Sequence, residues 1–211
     1  MELKGKKINF LGDSITEGHG TSGEEKIYLN LLKEREGLLE ARNYGIGGTR
    51  IANQMGEDNF APSFCVRYED MADDADIIVV FGGTNDYGHG NAPVGTFEAR
   101  NPDTFYGACH YLMRGLLEKY PEALIVFMTP LHRCDDFVPN KSNGKTLSQY
   151  ADIIKEVAKY YSLPVLDLYT MGGIQPDVPV MKEKYCPDGL HPNDAGHEII
   201  YSRLKGFLNN F

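Results

Sequence analysis

The chain has 211 residues, a formal net charge of -9 and four cysteines. That length suits one domain, residues 1–211, with a substantial core. The acidic balance excludes nucleic acid as the main partner, since phosphate binding needs a concentrated basic surface, and no apolar run reaches the length that spans a bilayer.

The N-terminus is polar up to Ile8, with Lys4-Gly5-Lys6-Lys7 reading as a solvated end. It has no apolar signal core, so a cytoplasmic location is expected. Ile8–Leu11 is a short apolar run of the kind that makes a buried parallel strand, and it breaks at Gly12. Ser14 then stands at the start of a run that can open a helix. Serine is a favoured helix cap. A helix start also offers free N–H groups and a positive dipole end, which would stabilise an oxyanion beside Ser14. Ile27–Glu36 carries Tyr28, Leu31, Leu32 and Arg35 at helical spacing.

Ala41–Ile46 is the second strand run, and Ala75–Phe81 is the strongest buried-strand signal. Asp103–Tyr120 places Phe105, Cys109, Leu112, Met113, Leu116 and Leu117 on one helical stripe. Ala123–Met128 gives a fourth strand run, Thr146–Tyr160 a third helix and Pro164–Leu168 a fifth strand run. Asn193–Asn210 closes the chain with Ile199, Ile200, Leu204, Phe207, Leu208 and Phe211 on one stripe. His197 is expected on the solvated side of that helix. The strand runs are continuous rather than alternating, as for strands covered on both faces.

Strand alternating with helix predicts an α/β fold, a parallel sheet between two helix layers with right-handed crossovers. Asp86–Asn101 and Leu131–Lys145 are long for connections in such a fold. Both follow strands, so both belong at the edge that receives Ser14. Ligands of open α/β sheets bind at that edge.

Four punctuated segments reach this edge: Gly12-Asp13-Ser14, Asn43–Thr49, Gly82–Asp86 and Pro187–Asn193. The glycines of Asn43–Thr49 allow a sharp turn and a close backbone approach to a ligand; an ordinary glycine-rich turn reads the same way. Asn85 can aim an amide donor into the crevice, although Asn-Asp is also a common turn. Pro192 is expected to begin the last helix, with His191 just ahead of it. Asp188 lies one turn earlier, where its carboxylate can accept a hydrogen bond from the imidazole. A general base needs that arrangement to fix its tautomer and orientation.

With these residues assembled, the chain resembles the SGNH hydrolases, the GDSL esterase and lipase family. All four of the family's blocks are present in the family's order, from Gly12 to His191. Ile15 stands where the family's GDSL name has Leu. The resemblance implies a three-layer α/β/α sandwich with a flavodoxin-like, five-stranded parallel sheet. It implies Ser14 as nucleophile and Asp188 and His191 as its acid–base pair. It implies an oxyanion hole from the Ser14 N–H, a glycine N–H and Asn85, with Gly48 fitting the glycine and Gly47 competing. The implied chemistry is hydrolysis of a carboxylic ester through an acyl-enzyme, with no metal or organic cofactor.

Asp13, Tyr87, His89 and His132 are expected to contact substrate, and Arg100 and Arg133 lie in or beside the same long loops. His19, His89, His110 and His132, with Asp135 and Asp136, lack HExxH or any comparable metal-ligand spacing. The cysteines Cys65, Cys109, Cys134 and Cys186 form no CxxC pair, so reduced thiols are expected. The long loops mix aromatic rings with hydrogen-bonding groups, which points to a short-acyl ester such as an acetyl group on carbohydrate. The competing classes are a lipase or thioesterase for longer chains, a non-catalytic carbohydrate-binding module, and a flavodoxin-type nucleotide binder. No Walker A or GxGxxG motif at the first strand–helix junction supports the last of these.

Overall fold

The apolar run at Ile8 becomes an interior strand of a sheet because both of its sides find partners. In the computed structural model, which describes residues 1–56 and 59–211, it is strand β1 (Lys7–Gly12). It pairs in parallel with β2 (Glu40–Gly45) on one side and β3 (Ile77–Phe81) on the other. β4 (Leu124–Met128) and β5 (Val165–Leu166) continue the sheet, giving the order β2-β1-β3-β4-β5. This is the flavodoxin-like order, and it confirms the expected fold.

The helices are α1 (Ser14–Glu17), α2 (Tyr28–Glu36), α3 (Phe64–Arg67), α4 (Thr84–Gly88), α5 (Phe105–Lys119), α6 (Leu147–Tyr160), α7 (Leu168–Met171), α8 (Pro179–Tyr185) and α9 (Asp194–Leu208). Side chains alternate across each strand, so the sheet builds two cores. Ile8, Phe10, Ile77, Val79 and Phe81 pack under α2 and α9. Leu11, Ile78, Val80, Ile125 and Phe127 pack under α3, α5 and α6. Fully burying a side chain of this size contributes about 1.5–3 kcal/mol.

Four sequence expectations change. β2 is a sheet edge whose residues are only partly covered, so the expectation of strands buried on both faces fails there. The segment expected as a loop from Asp86 onward begins inside α4. Pro192 does not start the last helix, because Asn193 is its cap, with Oδ1 accepting from the Gly196 N–H at 3.1 Å. His197 is buried at 0% exposure, with its Nδ1 accepting from the Tyr28 N–H at 3.2 Å. Burial pushes its imidazole down to about 4. Among the described residues, no helix is long and apolar enough to cross a membrane.

The strand order reverses between β1 and β3. Connections leaving these strands diverge, and the crevice they leave is the binding position of doubly wound sheets. Ser14 follows β1 and Asn85 follows β3, on its two sides.

Candidate active site

Asp13 follows β1 and caps α1, its Oδ1 accepting from the Ile15 N–H at 3.0 Å. The next residue, Ser14, is thereby fixed at the first helical position with 5% exposure. Its Oγ lies 3.0 Å from Nε2 of His191. Nδ1 of His191 lies 2.6 Å from Oδ2 of Asp188. The other carboxylate oxygen of Asp188 accepts from the N–H groups of Leu190 (2.8 Å) and His191 (2.7 Å). One carboxylate thus folds its own loop and orients the ring. Partial burial pushes Asp188 up, but these N–H groups and the imidazole outweigh it and hold the carboxyl below its ordinary value.

The opposite wall is built around Asn85. Its Nδ2 donates to the Thr49 carbonyl at 3.0 Å, which leaves the second N–H of the amide for the crevice. Asp86 accepts from the N–H groups of Ile51 and Ala52, both at 2.9 Å. These bonds pin the glycine-containing loop to α4. Gly45 passes so close to α1 that a Cβ there would run into the backbone at Glu17. Gly47 gives its N–H to Oε2 of Glu17 at 2.7 Å. Gly48 sits at φ +75, in the region that favours glycine, and no acceptor among the described residues takes its N–H.

Arg67, which the sequence reading passed over, joins these pieces from below. Its guanidinium donates to the carbonyls of Gly12 (2.9 Å), Tyr44 (2.8 Å) and Pro62 (3.1 Å), and to Oγ1 of Thr49 (3.0 Å). Burial pushes this side chain down to about 10. Two buried carboxyls lie nearby. Asp13 is pushed up to about 7, first by burial and further by the charge of Asp86. Burial pushes Asp86 up to about 6.

The residues expected to touch substrate divide. Asp13 is a buried helix cap, 2% exposed, rather than a surface open to substrate. Tyr87 is buried, and its hydroxyl lies 2.8 Å from the carbonyls of both Asp135 and Val138, so it anchors the 131–145 loop. His132 pairs with Asp136 at 2.6 Å and lies against Tyr169. His89 is exposed, stacks on Phe60 and lies 3.2 Å from Nη1 of Arg50. His19 pairs with Glu17 at 3.1 Å, and its ring centre is 5.5 Å from that of His191. His110 is buried against Phe97 and Tyr161. Among the described residues, no three His, Cys, Asp or Glu side chains gather where they could hold a metal ion. All four cysteines are unpaired thiols.

A serine hydrogen-bonded to a carboxylate-oriented histidine, facing amide donors across the switch point of a doubly wound sheet, has the parts of an acyl-transfer site. The comparisons with known proteins agree. A model of the GDSL-like Lipase/Acylhydrolase family matches residues 10–199, and the chain belongs to that family as a carboxylic ester hydrolase. It is similar to a solved protein from Lactobacillus plantarum, with 33% identity, a TM-score of 0.87, and coverage of 99% of this chain and 98% of that one. A GDSL-like lipase, so assigned, from Bacteroides uniformis shares 22% identity at a TM-score of 0.72, covering 98% and 97%. A two-domain esterase active on acetylated mannans shares 20% identity at a TM-score of 0.66, covering 99% of this chain and 50% of that one. No curated protein matches the chain.

Proposed function

We propose that the protein hydrolyses short-acyl esters through an acyl-enzyme on Ser14. The observation that carries this reading is the continuous chain Ser14 Oγ–His191 Nε2–His191 Nδ1–Asp188, with links of 3.0 and 2.6 Å. Ser14 Oγ attacks the ester carbonyl carbon, and its proton passes to Nε2 of His191. Asp188 keeps the proton on Nδ1 and stabilises the imidazolium. The oxygen that gains the charge meets the N–H groups of Ser14 and Gly48 and the free N–H of the Asn85 amide. Gly48 is favoured over Gly47 because Gly47 already gives its N–H to Glu17. Collapse breaks the bond to the alcohol, which leaves with the proton from His191. Water then repeats the sequence and releases the acid.

The short-acyl, polar character of the substrate is supported by the cleft beside α4. It has a volume of about 500 Å³, adjoins Asn85 through Tyr87 and Gly88 without being lined by Ser14 or His191, and sets Tyr87, Val138 and Pro139 among His89, Arg133, Asn140, Lys141 and Ser142. The relative active on acetylated mannans shares only the fold at its identity, so the substrate reading rests on this lining.

A fluorophosphonate should label Ser14, and Ser14→Ala should take up none while keeping its melting temperature. An adduct mapped by mass spectrometry to another serine would overturn the nucleophile. Activity should stay flat or fall from p-nitrophenyl acetate to the octanoate. Each methylene buried in an acyl trough would add about 0.8 kcal/mol, roughly fourfold in kcat/KM. A steady rise of that size would replace the short-acyl reading with a lipase or thioesterase.

A further inference from the structure

The same cleft holds an arginine for which the ester chemistry gives no use. Arg133 lies on the connection after β4. Its Nη1 donates to the Thr84 carbonyl at 3.3 Å, and its guanidinium carbon lies 5.6 Å from the centre of the Tyr87 ring. It also packs on Gly88, where a Cβ would crowd Nη1. Thr84 immediately precedes Asn85. The residue after Arg133, Cys134, gives its N–H to the Gly189 carbonyl at 2.8 Å, inside the loop that carries Asp188 and His191. Arg133 is therefore held between the oxyanion wall and the acid–base loop, the two structures that bracket the reacting carbonyl.

No carboxylate among the described residues pairs with it. Arg35, Arg42 and Arg114 each do pair with one. Lys141 and His89 line the same cleft, and the one carboxylate there is that of Asp135. The neighbouring Asp136 is taken by His132. In a chain of net charge -9, a half-buried guanidinium fixed between the Asn85 wall and the Asp188–His191 loop, and paired with no carboxylate, is a vacant anion receptor.

We propose that Arg133 receives an anionic group of the substrate, so that this site selects esters bearing a carboxylate or similar charge near the scissile carbonyl. The inference rests on the ester-hydrolase reading and adds to it the charge of the substrate. The charge can sit on the acyl or the alcohol side, and two matched pairs separate these. One is p-nitrophenyl hemisuccinate against its methyl ester. The other is 4-acetoxybenzoate against its methyl ester.

In each pair the ratio of kcat/KM, anionic over neutral, is read for the wild type, Arg133→Gln and Arg133→Lys, after subtracting the uncatalysed rate. General damage to the site cancels in the ratio. One pair should show a ratio that falls about tenfold or more in Arg133→Gln and is largely retained in Arg133→Lys, and that pair names the side. Ratios unmoved by Arg133→Gln in both pairs overturn the proposal while leaving ester hydrolysis standing. Failure of the wild type on all four esters and on p-nitrophenyl acetate, with no fluorophosphonate label, overturns the hydrolase reading and this inference with it.

Discussion

Asn85, Asp86, Thr49 and Arg67 lie below the surface, none more than 9% exposed, whereas the side chains of Asp188 and His191 are 54% and 21% exposed on a loop. The first group is tied to the sheet through Gly12 and Tyr44 and to the glycine-containing loop through Ile51 and Ala52. The second group is held mainly by the carboxylate of Asp188 itself. The difference fits the role proposed for each wall. Oxyanion donors act by already being in place when charge develops, so rigidity and low dielectric serve them. The base must gain and lose a positive charge in every turnover, which deep burial would oppose. A more exposed base pair and a buried set of fixed dipoles meet both demands.

Asp188→Asn tests the exposed wall hardest. The amide cannot hold a proton on Nδ1 and stabilise the imidazolium, so kcat should drop by about three to four decades with KM changing little. The melting temperature should fall only slightly, because the Asn oxygen can still accept from the Leu190 and His191 N–H groups that the carboxylate holds. A large loss of stability instead would show that those bonds need the carboxylate charge, and that the activity loss reports a displaced loop.

Asn85→Ala tests the buried wall. One of three proposed donors is lost, and kcat should fall by about two to three decades while Ser14 still labels with the fluorophosphonate, more slowly. An unchanged kcat would reduce Asn85 to a tether for the Thr49 carbonyl. Asp86→Asn removes no donor to the substrate. It puts an NH2 against the N–H of Ile51 or Ala52, so it should cost about 1–3 kcal/mol of stability and a smaller factor in kcat, about tenfold. Loss of activity with unaltered stability would contradict a clamp.

How much of this was legible in the sequence depended on length and chemistry. β1, β3 and β4 announced themselves as apolar runs, and α5, α6 and α9 as stripes over three turns or more. α3, α4, α7 and α8 span four to seven residues each, too short for a helical period to emerge. β2 reads as a strand from its place in the chain, but Arg42 and Asn43 show that it is an edge. Ser14, Asp188 and His191, which the structure joins by hydrogen bonds, and Asn85 across from them, stand out in the sequence because they sit in spaced motifs. Arg67 carries no such signal, since its acceptors are three backbone carbonyls and the Thr49 hydroxyl, and those of Gly12 and Tyr44 lie far away in the chain. His197 looked like a surface residue because polarity was read without knowing which helix face packs on Tyr28. Tyr87 and Asp13 are expected from the sequence to contact substrate, and the structure adds bonds that no motif encodes: one anchors a loop and the other caps a helix.

The smallest expected effect concerns charge rather than rate. Asp13 is fully buried, and burial, with the nearby charge of Asp86, pushes its carboxyl up to about 7 despite the Ile15 N–H and Arg67. In the unfolded chain it titrates near 3.9. Between those values the folded state binds more protons than the unfolded one, so this group's contribution to stability falls as pH rises through the window and levels off above it. Asp188, held below its ordinary value, has the opposite sign: its contribution is lost as pH falls. Asp13→Asn keeps an oxygen for the Ile15 N–H, since Asn caps helices as well as Asp, and it removes the titration. The variant's melting temperature minus that of the wild type should therefore grow between pH 4 and 8. A swing of at least about 3 °C corresponds to roughly 1 kcal/mol in a chain of this size. Groups that do not interact with Asp13 change both proteins alike and largely cancel, and the repulsion from Asp86, which the variant removes, adds to the same trend. A difference constant across that range would mean the carboxyl titrates alike folded and unfolded, and the buried wall would then carry no charge penalty at this position.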